Sequence, residues 1–366
     1  MNLTLILTRD CNMACRYCFE SHCRGAMSRE VIDAAAALAV KGTRVRCGFS
    51  LFGGEPLLRR DLVQYAVRRL AKLCKQAGVE YNFNMTTNGL LLDEAFLRFA
   101  DKYNIRIALS WDGMAQDDNR LTVGGYPTSG HVQKAWERLR QHQPDALVMY
   151  TVGTNAVDGL AQSVSWLFDR GVQRLNLTPD ARACADWNDG TLHALGVQYL
   201  RIGEDYARRL IEGQDIHLLN FDDKLRSYIH GTACGHDCML GKRQPVVTPD
   251  GGLYPCIQFA DDPLYRYGSV FSGIDPVLQT RIYERSRTTD PDCADCPVAS
   301  RCRHTCPCLN FQQTGDMNRV SDTQCRIEQL LITAADRAGE LLCAADSTAF
   351  AERFYRTAPV HEALHF

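Results

Sequence analysis

The chain has 366 residues, a formal net charge of −2 and 45% hydrophobic residues. These values are typical of a globular protein with a large buried core, and they provide no basic surface of the kind that nucleic acid or an anionic membrane attracts. No apolar run approaches the ~18 residues of a membrane span, and the first residues lack the basic leader of a secretory signal. We therefore expect a cytoplasmic protein without a nucleic-acid or membrane partner.

Short apolar runs alternate with helical patterns along the first half of the chain. The runs that predict strands cover residues 3–8, 45–52, 81–86, 105–110, 146–152 and 173–177. The predicted helices cover residues 29–40, 61–76, 93–103, 132–142 and 160–170, with N-caps at Ser28 and Asp93 and Gly171 after the last helix. This alternation predicts βαβ units around a parallel sheet. Six units predict an α/β fold, namely a partial (β/α)6 TIM-like barrel.

Three further segments complete the predicted organisation. We predict a core domain over residues 1–190, a helical connection over 191–230, a cysteine-rich domain over 231–326 and a helical tail over 327–366. The cysteine-rich segment has many turns and little apolar periodicity. We therefore expect bound metal, rather than a hydrophobic core, to hold it together.

Cysteine is far more abundant than in an ordinary chain. Four of the 17 cysteines lie in the first 23 residues, and eight lie between Cys234 and Cys308. Disulfide frameworks are typical of small secreted chains, whereas clustered thiols in a long chain without a secretion signal indicate metal binding. The isolated cysteines are predicted to be ordinary core residues: Cys47, Cys74, Cys184 and Cys343.

Cys11, Cys15 and Cys18 place three thiolates on one short loop directly after the first predicted strand. Iron–sulfur clusters normally have four cysteine ligands, so three ligands predict a 4Fe–4S cluster with one iron open for chemistry. A structural zinc site is the alternative, and Cys23 could then supply the fourth ligand.

The spacing Cys11-x3-Cys15-x2-Cys18, with Tyr17 just before the last cysteine, resembles the radical S-adenosylmethionine (SAM) superfamily. The resemblance implies that the amino and carboxylate groups of SAM bind the open iron. An electron from the reduced cluster then cleaves SAM to methionine and a 5′-deoxyadenosyl radical, which removes a hydrogen atom from the substrate. Tyr17 and Phe19 would shield the cluster from solvent. A flavodoxin- or ferredoxin-type protein would donate the electron.

Polar motifs follow the second, third and fourth predicted strands, at the sheet edge where ligands of parallel α/β folds gather. Gly53-Gly54-Glu55-Pro56 resembles the superfamily motif at the methionine moiety of SAM. Its glycines allow close backbone approach, and Glu55 can pair with an ammonium group. The resemblance implies five further SAM contacts, each with a cap or turn as its alternative role: Thr87, Asn88, Ser110, Asp112 and Arg120.

The later cysteines follow the pattern Cys238-x12-Gly251-x4-Cys256, then Cys293-x2-Cys296-x5-Cys302-x3-Cys306, and finally Cys325. This pattern resembles the SPASM domain, a C-terminal extension of radical SAM enzymes that act mostly on peptides and proteins. The resemblance implies two auxiliary 4Fe–4S clusters, and therefore three clusters in the chain. The first would be held by Cys234, Cys238, Cys256 and Cys306. The second would be held by Cys293, Cys296, Cys302 and Cys325. An array of zinc sites is the alternative. Cys23 and Cys308 are spare, and either could be a free thiol, an alternative ligand or a small buried apolar residue.

The domain order also resembles anaerobic sulfatase maturases, but those enzymes have an Asp directly after the cysteine equivalent to Cys256, where this chain has Ile257. The lost carboxylate makes us favour a maturase of a ribosomally made peptide that forms a thioether or carbon–carbon cross-link. The alternatives are formylglycine formation on a sulfatase and, from another class, an iron–sulfur electron carrier or zinc-binding protein. Because a strand starts at Leu3, we expect no leader-binding domain before the barrel. Either a separate leader-peptide-binding protein presents the peptide, or this chain binds it directly.

Overall fold

The computed structural model describes residues 1–20, 25–41, 45–180, 186–231, 238–260, 262–287, 290–302, 306–345 and 348–356. The strands in these residues are β1 (Asn2–Thr8), β2 (Met13–Cys15), β3 (Arg46–Gly53), β4 (Glu80–Thr87), β5 (Ile105–Ser110), β6 (Arg120–Thr122), β7 (Leu147–Val152), β8 (Arg174–Pro179), β9 (His217–Leu218), β10 (Val246–Val247), β11 (Gly252–Tyr254), β12 (Gly268–Ser269) and β13 (Gly273–Ile274). The helices are α1 (Arg29–Lys41), α2 (Arg60–Ala77), α3 (Glu94–Tyr103), α4 (Gln116–Asn119), α5 (Ser129–His142), α6 (Leu160–Asp169), α7 (Asp189–Ile211), α8 (Leu219–His230), α9 (Pro276–Arg285), α10 (Pro307–Thr314), α11 (Asp322–Ala344) and α12 (Thr348–Ala351).

A mostly parallel sheet forms the centre of the molecule, with its parallel strands in the order β10-β1-β3-β4-β5-β7-β8-β9. The predicted α/β architecture is confirmed, and the six predicted strands correspond to β1, β3, β4, β5, β7 and β8. The strand β9 was not predicted, because a strand of two residues is too short to show an alternation of apolar and polar side chains. Among the described residues β9 and β13 end the sheet, so closure into a partial barrel stays a prediction.

The predicted helix boundaries have visible local causes. The Asp93 carboxylate accepts a hydrogen bond from the Phe96 backbone amide at 2.8 Å, and the Ser28 hydroxyl accepts one from the Val31 amide at 3.2 Å. These bonds satisfy amides that the first helical turn leaves without a partner. After α6, Gly171 has a φ of 78°, which a glycine adopts without strain. Both N-caps and the C-terminal stop are therefore confirmed.

The cysteine-rich region extends the central sheet. The strand β10 pairs in parallel with β1, with Val246 opposite Thr4, and β11, β12 and β13 follow in antiparallel order. The sequence predicts this region as a separate domain. Its short strands, some of only two residues, leave no pattern in the sequence that would predict pairing with the core sheet. The sheet is thus continuous across the predicted boundary between the core and the cysteine-rich domain.

Apolar packing also stabilises the cysteine-rich region, which corrects the expectation that metal alone would do so. One buried cluster there combines a residue of β1 with residues from the region itself: Ile6, Leu240, Val246, Tyr254, Phe259, Tyr265, Cys308 and Met317. The rings of Phe259 and Tyr265 stack with their centroids 4.1 Å apart. The apolar residues are spaced irregularly because short turns carry them, so periodicity could not reveal them.

A buried ion pair fastens the helical connection to the C-terminal helix. Lys224 on α8 pairs with Glu328 on α11 and donates to the Arg301 carbonyl oxygen at 2.7 Å. Removal of one member would leave the other charge buried without its partner. This pair therefore holds the segment before Cys302 against the helix that carries Cys325.

The isolated cysteines divide into two groups. Cys47 and Cys74 are buried in the core, as predicted. Cys343 is exposed, so the core prediction was wrong there. The buried face of α11 includes the adjacent Leu342 but not Cys343. Cys184 lies outside the described residues. Among the described helices, none combines the length and the apolar character needed to cross a membrane.

Candidate active site

The N-terminal cysteine loop lies at the carboxyl ends of the parallel strands. Cys15 ends β2, which pairs antiparallel with β6 so that Cys15 lies opposite Arg120. The Met13 amide donates to the Cys11 sulfur at 3.4 Å, and the Cys18 amide donates to the Cys15 carbonyl at 3.1 Å. These short-range bonds hold the loop compact, and the β2–β6 pairing fastens it to the core.

The three thiols lie in one partly buried group. Burial raises the pKa of the Cys11 thiol to about 12, and the nearby Cys15 and Cys18 add to that rise. Among the described residues, no three Cys, His, Asp or Glu side chains are arranged around a single ion. A 4Fe–4S cluster binds each cysteine through a different iron, so its ligands need not converge on one point. The donor set therefore fits such a cluster, and loading would displace the thiol protons.

Gly53 and Gly54 bring the end of β3 into contact with the backbone that leads to Cys11. The Gly54 amide donates to the Thr8 carbonyl at 2.9 Å. A Cβ on Gly53 would lie 2.2 Å from that carbonyl oxygen, and one on Gly54 would lie 2.4 Å from the Asp10 carbonyl oxygen. Such contacts exclude any side chain, so the two glycines position the cysteine loop.

The Glu55 side chain is fully buried between the ends of β3 and β4. One carboxylate oxygen accepts from the Thr87 hydroxyl at 2.8 Å and the Leu57 amide at 3.0 Å, and the other accepts from the Asn88 amide at 2.7 Å. Burial raises the pKa of this carboxyl, although the hydrogen bonds oppose the rise. The side-chain amide nitrogen of Asn88 lies 3.9 Å from the Cys11 sulfur. Glu55 thus connects two strand ends to the cysteine loop, and its pairing with SAM stays a prediction.

Replacing Glu55 with alanine should lower the free energy of unfolding by about 3 kcal/mol, because three buried donors lose their acceptor. The same change should weaken SAM binding, since the loop around Cys11 loses its anchor. Thermal unfolding and equilibrium dialysis with SAM measure the two effects. The control is Glu340→Ala on the exposed side of α11. If Glu55→Ala were as stable as this control, the anchoring role would be refuted.

A second buried group joins the cysteine loop to β5 and β7. Asp112 is fully buried, accepts a hydrogen bond from the Tyr17 hydroxyl and another from the Thr151 amide at 3.0 Å, and pairs with Arg120 at 3.1 Å. The Arg120 guanidinium lies 5.0 Å from the centre of the Tyr17 ring. Burial raises the pKa of Tyr17. Burial alone would lower the pKa of Arg120, but the Asp112 carboxylate together with Tyr17 and Cys15 raises it.

The remaining predicted SAM contacts lie at the same edge of the sheet. Ser110 ends β5 and is partly buried, and Pro56 starts a short 3-10 helix after Glu55. Phe19 is 39% exposed and stacks on Phe52, with 6.4 Å between ring centroids. The structure therefore brings the predicted residues together, whereas their direct contacts with SAM stay predictions.

The auxiliary cysteines form two groups among the described residues. Cys296 and Cys325 both contribute to the raised pKa of Cys293, so these three thiols of the predicted second cluster are neighbours. Cys302 precedes a gap in the described residues, and Cys238 follows another. Cys234 lies outside the described residues, as does Cys23.

Cys308 lies beside two members of the predicted first cluster set, Cys256 and Cys306, so its role as an alternative ligand stays a prediction. It is 2% exposed, and its thiol is a neighbour of those of Cys256 and Cys306. The interaction with Cys308 lowers the pKa of Cys306 to about 7. The only signal in the sequence is Cys306-Pro307-Cys308, which places two cysteines two positions apart. The spacing alone could not distinguish this thiol from an ordinary buried cysteine.

Residues 5–166 match the family model of the radical SAM superfamily. The protein is an enzyme with a radical SAM domain. The serine-type anaerobic sulfatase-maturating enzyme of Klebsiella aerogenes is 25% identical over 317 residues, which cover 81% of this chain and 77% of that enzyme. The cysteine-type enzyme of Clostridium perfringens (strain 13 / Type A) is 21% identical over 336 residues, which cover 84% and 89%.

Two solved structures share the fold of this radical SAM enzyme. Native anSMEcpe with bound AdoMet and the Cp18Cys peptide is 19% identical with a TM-score of 0.80, covering 94% of this chain and 99% of that chain. SuiB of Streptococcus suis bound to the precursor peptide SuiA is 15% identical with a TM-score of 0.60, covering 88% and 75%. The similarity to anSMEcpe extends through the cysteine-rich region as well as the sheet.

Proposed function

We propose that this radical SAM enzyme acts on a side chain of a ribosomally made peptide and forms a thioether or carbon–carbon cross-link. The observation that carries the proposal is a cavity of about 40 Å³ beside the cysteine loop. Phe52, on which Phe19 stacks, lines this cavity, and so does Ile257 of the cysteine-rich region. The cavity therefore borders the predicted auxiliary region, and Phe52 connects it to the loop of the predicted SAM cluster. The peptides bound to anSMEcpe and SuiB support a peptide or protein substrate.

The proposed chemistry assigns distinct work to the two regions. When bound, SAM and its reduced cluster supply a 5′-deoxyadenosyl radical that takes one hydrogen atom from the substrate. Cross-link formation then requires the loss of one further electron and one proton. The auxiliary clusters that the downstream cysteines would hold would supply an acceptor for that electron. A flavodoxin- or ferredoxin-type donor would supply the electron for the first cluster in the cytoplasm, where thiols remain reduced.

The proposed fold is a partial barrel whose parallel strands surround the cavity. Thr4 on β1, Ser50 on β3 and Asn84 on β4 lie opposite one another in the strand register and all line it. Side chains that share one register row and one cavity point to the same side of the sheet. A curved sheet with this side facing inward is the arrangement that a partial barrel requires.

Sulfatase maturation is the second candidate function, because the curated relatives described above carry that activity and match most of the chain. Ile257 argues against sulfatase maturation, because it places an alkyl group at the cavity in the position where the resemblance implies an Asp. In this candidate, Cys or Ser of a sulfatase would be oxidised to formylglycine.

Anaerobic co-expression decides between the two candidates. The full chain is expressed with each short peptide encoded beside its gene and, separately, with a sulfatase that carries Cys or Ser at its active site. We expect a peptide that loses two hydrogen atoms and gains a thioether or carbon–carbon bond, located by tandem mass spectrometry. An aldehyde on the sulfatase, detected with a hydrazide probe, together with unmodified peptides would instead establish the second candidate.

Anaerobic reconstitution should give about twelve irons in each chain, as three 4Fe–4S clusters require. Iron and acid-labile sulfide analysis measure this value. The triple variant Cys11→Ala, Cys15→Ala and Cys18→Ala should retain about eight irons, because the auxiliary cysteines remain. A total near four irons in the natural chain would contradict the two auxiliary clusters.

A further inference from the structure

The cavity beside the cysteine loop has an uncharged lining throughout the residues that the structure describes. Its polar side chains carry only hydroxyl or amide groups, on Thr4, Ser50, Asn84 and Thr86. Its apolar side includes Phe52 and Ile257. The described part of the lining can therefore make hydrogen bonds and apolar contacts with a ligand, but it provides no charged group that could form an ion pair with one.

The cysteine-rich region contributes to the wall of this cavity from two points. The Gln244 amide nitrogen donates to the Thr4 hydroxyl at 2.8 Å and to the Ser50 hydroxyl at 3.0 Å. These two bonds fix the hydroxyls on neighbouring strands β1 and β3. Ile257 follows Cys256 directly and starts a short 3-10 helix, so the backbone at a predicted cluster ligand positions it. Both residues link the substrate side of the sheet to the auxiliary region.

A charged side chain entering this cavity would lose water and gain no opposite charge, which is strongly unfavourable. An uncharged side chain loses less hydration, and its apolar part would contact Ile257 and Phe52. The stack of Phe52 on Phe19 places the same cavity next to the loop of Cys11, Cys15 and Cys18. A side chain that enters the cavity therefore approaches the loop at which the radical is predicted to form.

We propose that this cavity receives an uncharged side chain of the substrate peptide as the site of hydrogen abstraction, and that Ile257 and Gln244 determine this specificity. The inference rests on the proposed peptide-modifying function and adds the class of the reacting residue. Ile257 limits the space and excludes charge, whereas Gln244 fixes the polar wall.

Deuterium transfer tests the inference with defined probes. Synthetic alanine-rich peptides each carry one perdeuterated residue: valine, threonine or asparagine as the uncharged set, and aspartate, glutamate or lysine as the charged set. The reconstituted full chain is given SAM, dithionite and one peptide, and deuterium in 5′-deoxyadenosine is measured by mass spectrometry. We expect about tenfold or more transfer from the uncharged set, a ratio typical of side-chain discrimination in a pocket.

Two variants of equal size test the role of Ile257 itself. Ile257→Asp places a carboxylate in the cavity, and Ile257→Asn places a neutral amide of the same shape there. Relative to Ile257→Asn, the Asp variant should transfer about tenfold more deuterium from lysine and less from valine, because only its charge differs. Iron content verifies that both variants fold. If the Asp variant does not retain iron, Gln244→Glu places a carboxylate at the Thr4 and Ser50 wall and replaces it in the comparison.

The possible outcomes distinguish a failure of this inference from a failure of the proposed function. If no 5′-deoxyadenosine forms, the radical SAM activity itself fails. If 5′-deoxyadenosine forms and the charged peptides transfer deuterium as well as the uncharged ones, the specificity is wrong. Absence of transfer from every peptide, while 5′-deoxyadenosine accumulates, would equally overturn it. Identical lysine transfer in the Asp and Asn variants would remove Ile257 as a determinant.

Discussion

Replacing Cys15 with alanine should abolish 5′-deoxyadenosine formation, because the loop would retain two thiolates for a cluster that needs three. Cys15 lies at the centre of the loop, opposite Arg120 in the β2–β6 pair, so a neighbouring residue cannot easily take its place. The measurement is 5′-deoxyadenosine by liquid chromatography and mass spectrometry after anaerobic incubation with SAM and dithionite. We expect a signal indistinguishable from a reaction without enzyme.

The matched control is Cys343→Ala, since Cys343 is an exposed cysteine on α11 outside every predicted ligand set. It should retain the activity and the iron content of the natural chain. Iron analysis of Cys15→Ala should show the loss of about four irons, with the auxiliary clusters intact. Persistent 5′-deoxyadenosine in Cys15→Ala would refute the assignment of the open iron to this loop.

The second large effect is expected from Gly54→Ala. The added Cβ would lie 2.4 Å from the Asp10 carbonyl oxygen and 2.7 Å from that of Arg9, and both are backbone atoms. The loop must therefore move away from the end of β3, and the cysteines move with it. A displacement of about 1 Å at a reacting centre can cost about 100-fold in rate. We expect a loss of this size in SAM cleavage, together with a lower iron content.

Gly130→Ala provides the control for a glycine in open space. A Cβ at Gly130 would have no neighbour within 4 Å, and the residue lies in the first turn of α5. Because alanine favours helix more than glycine does, this variant should be unchanged or slightly more stable, by up to about 1 kcal/mol. Equal rates of SAM cleavage in the Gly54 and Gly130 variants would show that the cysteine loop tolerates the displacement.

The sequence predicted the parts of the fold that depend on local pattern. Apolar runs and caps such as Asp93 identified the strands and helices of the parallel sheet, because their signals lie within a few residues of the elements. The gathering of Cys11, Glu55, Asn88 and Asp112 at one edge was also predictable. It follows from the rule that successive parallel strands end on the same side.

Contacts between distant residues could not be predicted in this way. Tyr17 meets Asp112 across 95 positions of sequence, and Gln244 meets Thr4 across 240. No periodicity connects such residues, because the tertiary fold alone brings them together. For the same reason the sequence could not reveal that the Glu55 carboxylate accepts bonds from Thr87 and two backbone amides, and the pairing of Glu55 with SAM stays a prediction.

The pairing of β10 with β1 has a consequence for synthesis of the protein. The strand β1 leaves the ribosome before its neighbour on one side, Val246–Val247, which follows about 240 residues later. At typical elongation rates this delay lasts roughly ten to fifty seconds. During that time one edge of a nearly fully buried apolar strand is open to pairing with another chain. Nascent or truncated chains that stop before residue 246 should therefore depend on chaperones and aggregate readily.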